Sequence, residues 1–189
     1  ILSASQIRSV DAYTIQHEPV ASINLMERAA AACVEWISRS IVPKYSFKIF
    51  CGHGNNGGDG LAISRLLLKS GFETKVFIVR ESHKYSADFL ENEKRLRNYH
   101  PLAIHDIKSE KDFPLIGPTD CVIDALFGTG LSKPVSVLFA RVIEHINATI
   151  AKVIAIDIPS GLFADKHTDG SSIVHADHTL SFQVPKLAF

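Results

Sequence analysis

The sequence predicts an α/β fold: a Rossmann-like three-layer sandwich with a mainly parallel sheet and two extra helices at its amino-terminal end. Three observations predict it. Short apolar or β-branched runs alternate with amphipathic helical stretches, and the crossovers between the runs are long enough to hold a helix. Seven of the eleven glycines fall in two segments that each follow a strand-like run and precede a helical one. Two strand-like runs also end in an aspartate where a buried strand would continue with an aliphatic residue. A length of 189 residues fits one domain.

The elements follow in order. Ser3 and Gln6 stand in capping-box spacing ahead of a first helix carrying Ile7, Val10 and Ile15. Met26, Ala30, Cys33 and Ile37 recur at helical steps and predict a second helix with one apolar face. Lys48–Cys51 reads as a strand, and Leu61–Lys69 as a helix stopped by Gly71. Thr74–Val79 is β-branched and apolar, a buried strand, and Ser86 caps a helix running to about Asn98. A weaker strand over Leu102–Ile107 precedes a stronger one over Cys121–Ala125. Val135–Asn147 is amphipathic through Val135, Leu138, Val142 and Ile146. Val153–Ile156 is fully apolar, and Thr179–Val184 is the last expected strand.

Composition narrows the function classes. Twenty basic residues balance twenty acidic ones, which leaves no broad basic footprint for nucleic acid. No apolar run reaches the length of a membrane span. Cys33, Cys51 and Cys121 are far apart and sit in apolar segments, as core residues do in a reducing, cytoplasmic setting. The nine histidines show no zinc-ligand spacing; His175 and His178 lie near a strand and read as structural. The chain opens on Ile1 and closes on Phe189 just after an apolar stretch, and is read as part of a longer chain, with organelle targeting open if an upstream segment was removed.

The chemistry is concentrated in three loops. The first is Cys51-Gly52-His53-Gly54-Asn55-Asn56-Gly57-Gly58-Asp59-Gly60. A tight turn accounts for two or three glycines, but not for two asparagines and an aspartate among five. Glycines let a backbone approach a ligand, and a helix amino-terminus behind them suits phosphate. The second is Asp124-Ala125-Leu126-Phe127-Gly128-Thr129-Gly130-Leu131-Ser132-Lys133-Pro134, and the third is Asp157-Ile158-Pro159-Ser160-Gly161. In a parallel sheet all three leave from one carboxyl edge, where ligands bind. Either aspartate alone reads equally well as a helix cap; both together, flanked by glycine loops, favour a site. Asn56, Asp124 and Ser160 offer hard oxygens and no sulfur, which suits an alkali or alkaline-earth ion rather than zinc. There is no Walker lysine and no Gly-x-Ser-x-Gly elbow.

These three motifs, in this order, resemble the YjeF amino-terminal domain family, which includes the NAD(P)H-hydrate epimerases. Leu25-Met26-Glu27-Arg28-Ala29 near the start, and Thr179, Phe182 and Lys186 near the end, extend the resemblance over nearly the whole chain. Residues 1–189 are therefore expected to form one such domain. The resemblance implies isomerase activity on hydrated NADH and NADPH, without redox chemistry, and one potassium ion held by Asn56, Asp124 and Ser160. It implies substrate contacts from Asn55, Asn56, Gly57, Gly58 and Asp59, from Gly128, Thr129, Gly130, Leu131, Ser132, Lys133 and Pro134, and from Asp157, with Asp157 the catalytic acid/base. It also implies a homodimer and, in bifunctional relatives, a following dehydratase domain. His53 stands at a variable position of the motif. Two rival functions remain. A non-catalytic nucleotide- or RNA-binding scaffold of the same fold is disfavoured by the intact Asn56, Asp124 and Asp157. A dehydrogenase would need an acid on the ribose, for which only Glu81 offers itself.

Overall fold

The computed structural model describes every residue of the chain except 19, 42–44, 82–83 and 169–171. Helices α1 (Ala4–His17) and α2 (Ser22–Ser40) precede strand β1 (Ser46–Cys51). Then come α3 (Asn55–Lys69), β2 (Thr74–Val79), α4 (Ala87–Tyr99), β3 (Ile104–Ile107) and β4 (Asp120–Ala125). Helix α5 (Val137–Asn147) and strands β5 (Lys152–Ile156) and β6 (His178–Leu180) complete the order. Every strand pairing is parallel, and the sheet runs β3-β2-β1-β4-β5-β6. The chain reverses its direction of travel between β1 and β4, which opens a crevice at the carboxyl ends of those two strands.

Alternation along the strands builds two cores. Ile49, Ile78, Ile123 and Ile154 meet the apolar faces of α2, α3 and α4 on one side. Phe50, Phe77, Val122 and Val153 meet Phe139, Val142, Ile143 and Ile146 of α5 on the other. All three cysteines are buried and unbonded, and burial, the leading cause, pushes the Cys33 and Cys121 thiols up to about 12. They are core residues. The capping box at Ser3 and the cap at Ser86 both form. Among the described residues no helix is long and apolar enough to cross a membrane.

Strand β3 begins at Ile104 rather than Leu102, because Pro101–Ala103 forms a 3-10 turn, and four further details differ from the sequence expectation. Helix α3 begins at Asn55, six residues before Leu61, so most of the first glycine loop is helix. Glycine is a poor helix former, but here close packing decides. A Cβ at Gly57 would lie 2.1 Å from the Gly52 carbonyl oxygen, and one at Gly60 would lie 2.6 Å from the Ala125 side chain. Strand β6 ends at Leu180 rather than Val184, because the carbonyls of Phe182 and Val184 turn to accept from the Lys186 ammonium. Helix α5 starts at Val137 and buries Phe139 and Ile143 beside Val142 and Ile146, leaving Val135 and Leu138 half-buried. Of the α1 stripe only Ile7 is buried; Val10 is exposed and Ile15 half-buried.

Candidate active site

A cavity of about 620 Å³ opens at the carboxyl edge of the sheet. Its walls are residues 53–56 and Asp59 from the β1–α3 junction, residues 126–136 between β4 and α5, Asp157 after β5, and Ile7, Arg8 and Asp11 of α1. Helix α1 is fixed there by the Asp165 carboxylate, which accepts from the Ala4 N–H at 2.8 Å, and by Gln183, which donates to Asp11 at 2.6 Å.

Asp157 has a left-handed backbone, φ 67°, directly past the last residue of β5. An aspartate tolerates that region better than most residues. The turn aims its carboxylate into the cavity, where Oδ1 lies 3.0 Å from Lys186 Nζ and Oδ2 accepts the Thr129 N–H at 3.0 Å. Gly128 makes room for it: a Cβ there would stand 2.8 Å from Asp157 Oδ2. Lys186 is fully buried and also donates to Ser181 Oγ at 3.0 Å and to the Val184 carbonyl at 3.0 Å. So many acceptors let an ammonium exist out of water.

Asp124, the residue before the last of β4, has no exposure. Its Oδ1 accepts from Ser160 Oγ at 2.6 Å and from the Leu126 N–H at 3.1 Å, and its Oδ2 accepts the Ser160 N–H at 2.8 Å. Burial pushes its carboxyl up to about 6, against the pull of the Ser160 and Leu126 hydrogen bonds. Asn56 donates through Nδ2 to the Ile156 carbonyl at 3.2 Å, which leaves its buried Oδ1 without a partner. A buried carboxylate without a cation, a hydroxyl oxygen bonded to it and an orphaned amide oxygen fit an all-oxygen, weakly held cation. No cluster of three or more histidines, cysteines or carboxylates with metal-binding potential occurs among the described residues.

Of the residues singled out from the sequence, Asn55, Asn56, Asp59, Asp157 and the whole stretch 128–134 line the cavity. Asp124 and Ser160 do not line it; they are bonded to each other, and Ser160 Oγ accepts the N–H of the lining residue Phe127 at 2.9 Å. Gly57 and Gly58 stand behind the wall instead: a Cβ on Gly58 would lie 3.0 Å from the Met26 sulfur and 3.3 Å from the Phe89 nitrogen. Their absent side chains let α3 sit close to β1, α2 and α4. Sequence reasoning assigned no site role to Lys186, Arg8, Asp11 or His53. For Lys186 the one available signal was its place in the family motif. Arg8 and Asp11 look like the polar face of any helix.

Comparison with known proteins adds a third line of observation. The family model described as YjeF-related protein N-terminus matches residues 22–188. The NAD(P)H-hydrate epimerase of Anaerococcus prevotii is 36% identical over 98% of this chain and 86% of its own length. That of Limosilactobacillus fermentum is 34% identical over 98% of this chain and 86% of its own length. The bifunctional NAD(P)H-hydrate repair enzyme Nnr of Thermofilum pendens is 35% identical over 99% of this chain, which spans 36% of that longer protein. The crystal structure of yeast ynu0 has the same fold, with a TM-score of 0.85 over 98% of this chain and 81% of that one, at 21% identity.

Proposed function

The chain belongs to the family of YjeF-related protein N-termini, and we propose on that premise that it is an isomerase interconverting the R and S forms of hydrated NADH and NADPH. The observation that carries the chemistry is the Asp157 carboxylate, set in the cavity wall by Lys186 and the Thr129 N–H.

Hydrated nicotinamide carries a hydroxyl on the carbon beside the ring nitrogen. Inverting that centre by exchange of the hydroxyl requires a proton for the departing group and removal of a proton from the water that replaces it. Asp157 is the acid/base group in this reading, and such a group contributes ~10²–10⁴-fold. Residues Gly128 to Pro134 take the diphosphate, with Lys133 as a point charge. Asn55, Asn56 and Asp59 hold the substrate from the other wall. Asn56, Asp124 and Ser160 hold one potassium ion. When bound it would supply a fixed positive charge beside the Asp124 carboxylate.

The protein works in the cytoplasm as a homodimer, without nucleic-acid or membrane partners. Residues beyond this stretch would add a dehydratase domain if the chain follows its bifunctional relatives. The test is incubation with one purified epimer of hydrated NADH or NADPH, with chromatographic separation of the two forms. Appearance of the other epimer at a rate proportional to protein supports the reading; a rate equal to the buffer control rejects it.

A further inference from the structure

Asp59 stands in surroundings opposite to those of Asp157. It lies early in α3, is only 8% exposed, and lines the same cavity. Among the described residues no N–H, hydroxyl or cation pairs with its carboxyl group, whereas Asp157 has both an ammonium and a backbone N–H. The charged groups that act on Asp59 from its surroundings are acidic: Asp157 after β5, Asp88 on α4 and Asp11 on α1. Burial, followed by those three carboxylates, holds the Asp59 carboxyl well above the usual carboxylate range. A buried acid without a partner costs stability wherever it occurs. The close packing of Gly57, Gly58 and Gly60 around it fixes the helix that carries it, so the side chain is held at the cavity wall.

We propose that Asp59 is a second acid/base residue, the partner of Asp157, so that one carboxyl group donates to the departing hydroxyl while the other accepts from the incoming water. This rests on the epimerase reading above. In one direction the neutral Asp59 gives its proton to the hydroxyl; the C–O bond breaks, water leaves, and the ring nitrogen lone pair closes a C=N bond to the same carbon. A second water then adds, its oxygen forming the new C–O bond as the electron pair returns to nitrogen, and its proton passes to the Asp157 carboxylate. One water leaves and one enters, so atoms and electrons balance without a redox partner. Each turnover ends with Asp59 ionised and Asp157 neutral, which is the form that acts on the opposite epimer. Exchange of one proton through the solvent-open cavity restores the first form. Burial beside three carboxylates keeps the proton on Asp59, while an ammonium and a backbone N–H face the Asp157 carboxylate, so the two groups can serve as acid and base together.

The test compares Asp59→Asn, Asp59→Glu and Asp157→Asn with the wild type, using a purified epimer as substrate. Asp59→Asn removes the proton and keeps the shape. It should lower kcat by about 100-fold or more, raise KM by a far smaller factor than it lowers kcat, and be partly rescued by Asp59→Glu. Asp59→Asn within about tenfold of wild type, with Asp157→Asn inactive, overturns the proposal and leaves the epimerase reading standing. A wild type that forms no second epimer rejects that reading itself. If Asp59→Asn does not fold, Asp59→Ser with a melting curve as folding control decides: a folded variant about 100-fold or more below wild type in kcat supports the proposal, and one within about tenfold overturns it.

Discussion

Asp124 stands one residue before the end of β4 and Asp157 one past the end of β5, yet among the described residues an ammonium lies beside Asp157 and only hydrogen-bond donors beside Asp124. That contrast gives two measurable outcomes. Asp124 titrates near 3.8 when unfolded and about 6 when folded, so the folded state binds its proton more tightly. Its contribution is complete below pH 4 and is lost as the pH rises through 6, by roughly 3 kcal/mol in all. A cation on the ionised group reverses the loss by mass action. Thermal melts in choline chloride should therefore show stability falling between pH 4 and 6 relative to Asp124→Asn. Potassium chloride should restore it at pH 7 but not at pH 4.5; equal effects at both pH values would contradict the assignment. The second outcome concerns Lys186. Lys186→Met leaves the Asp157 carboxylate buried without its cation, a change that costs about 3–5 kcal/mol in denaturant melts; a loss below about 1 kcal/mol would mean the pair is not buried as described. Both aspartates are legible in the sequence because each interrupts an apolar run. Lys186 is not, since nothing local marks a lysine whose partners come from a chain reversal.

The strands and the caps were readable from local chemistry, because β-branched runs and a serine ahead of a helical period carry their own signal. The start of α3 was not. Glycine propensity argues for a loop over residues 55–60, while the structure needs a helix with no side chain at 57, 58 and 60 so that it can approach β1, β4 and α2. Tertiary packing overrides propensity there. Gly57→Ala tests this directly, because its Cβ would meet backbone, the Gly52 carbonyl, which cannot swing aside. We expect a loss of about 1–3 kcal/mol in urea unfolding. Gly130→Ala, with nothing within 4 Å of its added Cβ, should change stability by less than about 0.5 kcal/mol. Equal effects from the two substitutions would show that close packing is not what the α3 glycines provide. The short β6 also depends on distant contacts, since the carbonyls of Phe182 and Val184 just past it are diverted to Lys186.

At the scale of the whole molecule, alternation of strand and helix was enough to give a parallel doubly wound sheet and to put the three motifs on one edge. It could not place α1 at the cavity, because the contacts that do so, Ala4 to Asp165 and Asp11 to Gln183, join distant parts of the chain. Ala4 and Ala188 pack around Ile158 and Ala164, which brings α1 beside the carboxyl-terminal residues. Leu187 and Phe189 beside Ala188, and Tyr13 further along α1, are more than half exposed, exposed apolar groups that a symmetric partner would cover. Light scattering should give about twice 20.8 kDa; a monomer at micromolar concentration would contradict the proposed dimer and leave the chemistry untouched, since the groups proposed to act all line one cavity of a single chain. The central claim is that Asp157 performs acid/base chemistry on a hydrated nicotinamide. Asp157→Asn tests it most directly, because Lys186 keeps its bonds to Ser181, Phe182 and Val184 and the fold should persist. With one purified epimer as substrate and a melting curve as the folding control, the account predicts interconversion by the wild type and none above background by a folded Asp157→Asn. A folded variant within about tenfold of wild type would contradict it.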